Sequence, residues 1–197
     1  MLSRVQANDA GWVFTPADFL DLGGRVTVLS ALFRFKKAGA IRQLARGLYD
    51  HPKNDPQLGI LLPNADAIAT ALARRDAVRF QAFGAYAANL LGLSEQVPMK
   101  VVFLTDGHAR KVQIGRQQIV LKHTTARNMA TAGRVSGLVI QALRYLGKRN
   151  VTDDIVARLA KRLDGAGRDQ IRIDAQYAPA WIAAIMRQIA AGTGVRT

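Results

Sequence analysis

The chain has 197 residues, 49% of them hydrophobic, which is enough for one large or two small domains with a real core. Its formal charge is +14, from 28 Lys and Arg against 14 Asp and Glu, and the excess points to a polyanionic partner: a nucleic acid first, with a membrane surface or an acidic protein as alternatives. There are no cysteines, which excludes disulfides and cysteine-ligated zinc; the N-terminus lacks the apolar run of a secretory signal, and no stretch approaches the ~20 apolar residues of a membrane span, so a cytoplasmic location is expected.

Leu2 and Val5 belong to a first helix, ended by Ala10-Gly11, after which Trp12-Val13-Phe14 enters the next element. Thr15 before Pro16 is a helix start, because the hydroxyl can cap free N–H groups and proline's fixed φ suits the first helical position. A short helix from Ala17 to Leu22, a Gly23-Gly24 turn and a longer helix from Arg25 to about Ala38 follow. In the second helix Val28, Leu29, Leu32 and Phe35 are expected to face a core, while Thr27, Ser30, Arg34 and Lys37 line the opposite face. The segment from Ala40 to Tyr49 reads as two short strands around Ala45-Arg46-Gly47, a wing with Arg42 and Arg46 beside or at its tip. A capped short helix, a glycine turn, a helix with a small-polar and basic outer face and a basic hairpin make an ordered set that suits DNA better than a merely solvated face. Arg34 and Lys37, with Arg25, Thr27 and Ser30 on the same helix, are expected at the major groove, and Arg42 and Arg46 at phosphate or minor groove.

The two prolines between Asp50 and Pro56 read as a linker, giving domains over residues 1–55 and 56–197. Asn64 caps a helix from Ala65 to about Arg75, Val78 to Gln81 is extended, and a small-residue helix through Phe83–Leu91 stops at Gly92. Met99 to Leu104 reads as a buried strand, and Arg110–Ile114 and Gln118–Lys122 as a hairpin turned at Gly115-Arg116, giving three strands with a basic outer face. Val135, Leu138, Val139, Ala142, Leu143 and Leu146 form one helical stripe with Gln141, Arg144 and Lys148 opposite. Thr152 caps another helix, ended by Gly165, and Pro179 opens the last. The fold class expected is α+β: an N-terminal winged helix-turn-helix and a larger domain with a small antiparallel sheet and several helices.

The positive charge is uneven. Residues 1–55 carry a net of +3 and residues 56–197 a net of +11, and between Lys100 and Asn150 ten basic residues stand against the single Asp106. Lys111, Arg116 and Lys122, with Arg127, Arg144 and Lys148, are therefore candidates for a second DNA-contacting surface.

The stretches Gly39-Ala40-Ile41-Arg42-Gln43-Leu44-Ala45-Arg46-Gly47-Leu48-Tyr49, Gly84-Ala85-Tyr86-Ala87-Ala88-Asn89-Leu90-Leu91-Gly92-Leu93-Ser94-Glu95-Gln96-Val97-Pro98 and Leu104-Thr105-Asp106-Gly107 resemble the AbiEi-type antitoxins. The resemblance implies a two-domain protein that binds inverted repeats upstream of a two-gene operon, represses it, and counteracts a nucleotidyltransferase-like toxin without a stable complex. It also implies several copies on DNA, with a monomer in solution possible. A runner-up is an adaptor whose basic surface binds an acidic protein directly.

No catalytic role is expected, nor any cofactor or metal. His51, His108 and His123 have no metal-ligand spacing, no nucleotide-binding or hydrolase motif occurs, Asp153 and Asp154 are explained by a helix N-terminus, and Asp106 alone is too little acid for two-metal chemistry.

Overall fold

A short helix, α1 (Leu2–Gln6), buries Val5, and strand β1 (Val13–Phe14) follows it in the computed structural model, which describes residues 1–96 and 98–192. Val97, which falls in the second resembling stretch, lies outside the described residues, as do residues 193–197. The Thr15-Pro16 start opens a helix of the tighter 3-10 kind over Pro16–Leu22. Here the Thr15 N–H and hydroxyl both donate to the Asp18 carboxylate, at 2.7 and 3.1 Å, so the acidic residue three positions on shares the capping. Gly23, at φ 154°, then turns the chain into α2 (Arg25–Lys37).

The buried stripe of α2 is Val28, Ala31 and Leu32, with Phe35 half-buried. Leu29, expected inward, is 39% exposed. One residue step turns a side chain by about 100°, and α2 packs on one side only, so the residue next to Val28 rotates out of the core. The hairpin of β2 (Arg42–Ala45) and β3 (Leu48–Asp50) turns at Arg46-Gly47, with Gly47 in the left-handed region at φ 71°. Strand β1 pairs antiparallel with β3, Phe14 opposite Tyr49, giving a three-stranded sheet in the order β1-β3-β2. Val5, Phe14, Phe19, Val28, Leu32, Ile41 and Tyr49 make the core, with Phe14 and Phe19 edge to face at 5.4 Å between ring centroids.

The segment expected to be a linker is folded. Strands β4 (Lys53–Asp55) and β5 (Gly59–Leu61) form a second hairpin, and the Asp55 carboxylate accepts the N–H groups of Gln57 and Leu58 at 2.9 Å each, fixing the turn that Pro56 enters. Helix α3 (Ala65–Asp76) starts where expected, the Asn64 side chain accepting the Ala67 N–H at 2.7 Å. The chain groups into two units, residues 1–78 with 112–119, and residues 79–111 with 120 onward. Arg74 places α3 in the first of them, since its guanidinium donates to Asp18 at 2.5 Å and to the Val13 carbonyl at 3.3 Å.

Beyond Val78 come β6 (Phe80–Phe83), α4 (Ala85–Leu90), β7 (Lys100–Thr105), β8 (Arg110–Ile114) and β9 (Gln117–His123), in a four-stranded sheet ordered β6-β7-β9-β8. The extended piece before α4 is thus an edge strand, Phe80 opposite Thr105. Helices α5 (Ala126–Met129), α6 (Val135–Leu146), α7 (Asp153–Arg162), α8 (Gly165–Asp174) and α9 (Ala180–Ala191) complete the chain. Gly165, expected to end a helix, begins one: the Asp164 carboxylate accepts the Gly167 N–H at 2.7 Å and caps α8. Helix α6 is covered by α4, α8, α9 and β6, so Gln141, expected outside, is 1% exposed. At its start the fully buried Asp174 carboxylate accepts from Ser136 Oγ (2.5 Å), Gln170 Nε2 (2.8 Å) and Arg134 Nη1 (2.9 Å).

Candidate nucleic-acid interface

Helix α2 has no acidic residue, and the sides not used for packing carry Arg25, Thr27, Ser30, Arg34, Lys36 and Lys37, all exposed. Helical geometry sorts them. Val26, Ser30, Phe33 and Lys37 run along the line opposite the buried stripe, Thr27 and Arg34 along one flank, and Arg25, Leu29 and Lys36 along the other. The second flank faces the β2–β3 hairpin. There Arg25, Leu29, Gln43, Arg46, Tyr49 and Arg75, with Pro16, Ala17, Leu20 and Gly47, line a groove of about 460 Å³, and Lys36 Nζ donates to Gln43 Oε1 at 3.0 Å.

Ion pairing decides which of these cations face an outside partner. Arg4 holds Asp21 through two bonds of 2.8 and 2.6 Å, and this hydrogen bonding keeps the Asp21 carboxyl below the usual range. Arg42, expected to reach DNA from the wing, turns inward instead: Nε and Nη2 donate to the Asp50 carboxylate at 3.1 and 2.5 Å, and Nη2 also to the Leu61 carbonyl at 2.7 Å. Asp50 is fully buried and directly opposite Arg42 in the sheet, so a carboxylate without this partner would be a bare charge in the core. Arg25, Arg34, Lys37 and Arg46 have no acidic partner among the described residues. Sequence reading missed Arg75, which an i,i+1 pair with Asp76 holds at 2.8 Å, and the apolar members of the outward line.

The later candidates fall into separate groups. Lys111 and Lys122, with Arg110, Val120 and Leu121, border a slot on adjacent strands, and Lys122 Nζ sits 6.0 Å from the Phe83 ring centroid. Arg116 is exposed in the turn between β8 and β9. Arg127 and Arg144 are neighbours: Arg144 donates to Asn128 Oδ1 at 3.2 Å, and burial first, then the charge of Arg127, lowers its pKa from the ordinary arginine value. Lys148 lies with Arg149 in a separate single turn, Lys148–Asn150. Among the described residues neither the Arg127 nor the Arg144 guanidinium has an acidic partner, and an anion would relieve their mutual repulsion.

Among the described residues no group of three His, Asp or Glu is placed to hold a metal ion, and no helix is long and apolar enough to cross a membrane. His51 and His123 bond to backbone carbonyls, of Asn8 at 3.3 Å and Gly107 at 2.9 Å. Asp106 pairs with Arg79 at 2.8 Å, and that bond keeps its carboxyl below the usual range.

Fold and charge together define an α+β protein with small antiparallel and mixed sheets and, among the described residues, a basic surface without acidic partners on α2 and the neighbouring hairpin. The chain belongs to the DUF6088 family, a family of unknown function, whose model matches residues 1–171. Comparison with curated proteins found no match, and neither did comparison with solved structures.

Proposed function

We propose that the chain is a sequence-specific DNA-binding regulator whose residues 1–55 form a winged helix-turn-helix. The observation that carries the reading is the face of α2: a helix without acid, packed by one stripe only and followed by a hairpin that offers Arg46, on which Arg34 and Lys37 have no acidic partner among the described residues. The order of elements supports it, with a short helix and a glycine turn before α2, a hairpin after it, and β1 closing the sheet beside β3. In this reading α2 is the recognition helix, Arg34 and Lys37 approach base edges or major-groove phosphates, and Arg46 holds the backbone. Arg42 braces the wing from within and stays out of the interface.

The resemblance to the AbiEi-type antitoxins extends the proposal. On that ground the chain represses its own operon from inverted repeats and counteracts a nucleotidyltransferase-like toxin encoded by the neighbouring gene. Lys111, Arg116, Lys122, Arg127, Arg144 and Lys148 then add counter-ion release to a module that by itself has few cations to neutralise phosphate. Gel-shift and footprinting on the DNA upstream of the chain's own gene test the first part. Protection of an inverted repeat supports it, and binding no tighter than to random duplex, or unchanged by Arg34→Ala with Lys37→Ala in folded protein, refutes it. Co-expression with the neighbouring gene tests the second: relief of growth arrest is expected, and arrest that continues despite a full level of this chain refutes the antitoxin role.

A further inference from the structure

The outward line of α2 is not the polar surface a merely solvated helix presents. Val26 is 82% exposed and Phe33 62%, with Ser30 between them and Lys37 beyond. Two large apolar side chains left in water on one line of a helix mark a face that gains from being covered. Its border says by what. Arg25, Arg34, Lys36 and Lys37 surround the two apolar groups, and Lys36 Nζ sits 5.9 Å from the Phe33 ring centroid. A second copy of the helix laid against this face would set Arg25 against Lys36 and Lys37, like charge on like charge, with no acid in α2 to relieve it. A polyanion whose groove floor also carries apolar groups fits both features, and the major groove of DNA does so wherever it presents a thymine 5-methyl group.

We propose that Val26 and Phe33 read thymine methyl groups, a specificity that rests on the DNA-binding reading above and goes beyond it. Seven residues of helix span about 10 Å. At about 3.4 Å per base pair that separation corresponds to two thymines about three base pairs apart, with the Ser30 hydroxyl over the base edges between them.

The test uses the full chain and duplexes it selects from a pool with a random core of about 20 base pairs, long enough for one docked module. The selected sequence is then remade with deoxyuridine for thymine, position by position, which deletes only the methyl. Enrichment of two thymines at this spacing is expected, with affinity falling about fourfold per methyl removed. In Phe33→Ala and Val26→Ala the corresponding deoxyuridine change should have no further effect, while Phe33→Leu keeps part of the sensitivity. Matching circular dichroism spectra and melting temperatures would show that the variants fold. Equal wild-type affinity for thymine and deoxyuridine duplexes overturns the inference while leaving DNA binding standing, as does a Phe33→Ala variant that dissociates a dimer without changing base preference. Failure of the pool to enrich any sequence overturns the DNA-binding reading itself, and this inference with it.

Discussion

Replacing Arg42 by alanine separates a structural cation from a DNA-contacting one. The guanidinium is the donor to a carboxylate that is 0% exposed, through bonds of 3.1 and 2.5 Å, and it also satisfies the Leu61 carbonyl at 2.7 Å. Removing one partner of a buried pair costs about 3–5 kcal/mol, because the remaining charge stays buried and uncompensated. The loss of the carbonyl's donor adds about 1 kcal/mol, for a total of about 4–6. An exposed wing arginine would by contrast cost about 0–1 kcal/mol of stability. Against the 5–15 kcal/mol typical of a domain, roughly, the first unit of Arg42→Ala should be close to its limit. Urea unfolding followed by Trp12 fluorescence in a Trp181→Phe background reports this unit, since Trp12 packs on Phe14 with ring centroids 4.8 Å apart. The double variant Arg42→Met with Asp50→Leu removes both charges and should recover most of the loss. A stability change under about 1 kcal/mol for Arg42→Ala, accompanied by a weaker salt dependence of DNA binding, would show that the arginine points outward in solution and refute the reasoning.

Gly137→Ala should lower the stability of the second unit by about 1–3 kcal/mol or more, because a Cβ there would lie 2.3 Å from the Thr131 carbonyl oxygen and 2.4 Å from the Gln81 side-chain amide; a melting temperature within error of wild type would contradict this packing. Gln141→Met should raise stability by about 1 kcal/mol, since Gln141 Oε1 is buried with no hydrogen-bond partner among the described residues, and a loss on urea titration would show that the oxygen is satisfied. Asp106 has its pKa lowered by the Arg79 bond, so its contribution is complete above the ordinary carboxylate range, at about pH 4 and higher, and is lost as pH falls through the depressed folded value. Asp106→Asn should accordingly melt lower than wild type at pH 7 but lose less between pH 5 and 3, and parallel melting curves for the two proteins would contradict the assignment. Arg127→Gln with Arg144→Gln should reduce the slope of log affinity on log salt for a DNA duplex without altering sequence preference, and an unchanged slope would remove this pair from the interface.

Elements whose signals are local were legible from the residues alone. The Thr15-Pro16 start, the Asn64 and Thr152 caps, and the Gly47 turn each satisfy or release backbone groups within a few residues, and each stands where the residues placed it. The charge excess was likewise legible, because net charge needs no fold. The rest emerged only on folding, wherever a side chain's meaning depends on a partner far along the chain. Whether Arg42 serves DNA or the core turns on Asp50 being directly across the sheet and on the Leu61 carbonyl, which only the folded hairpins bring to it. Gln141 is buried because α4, α8, α9 and β6 all cover its helix, and hydrophobic periodicity reports how many sides of a helix are apolar, not how many are packed. Leu29 shows the opposite case, an apolar residue at helical spacing that one-sided packing leaves in solvent. The spacing of Val26 and Phe33 could be read from the chain at any time, but that they line up with Ser30 and Lys37 on a face no described residue covers follows only from where the buried stripe of α2 comes to rest.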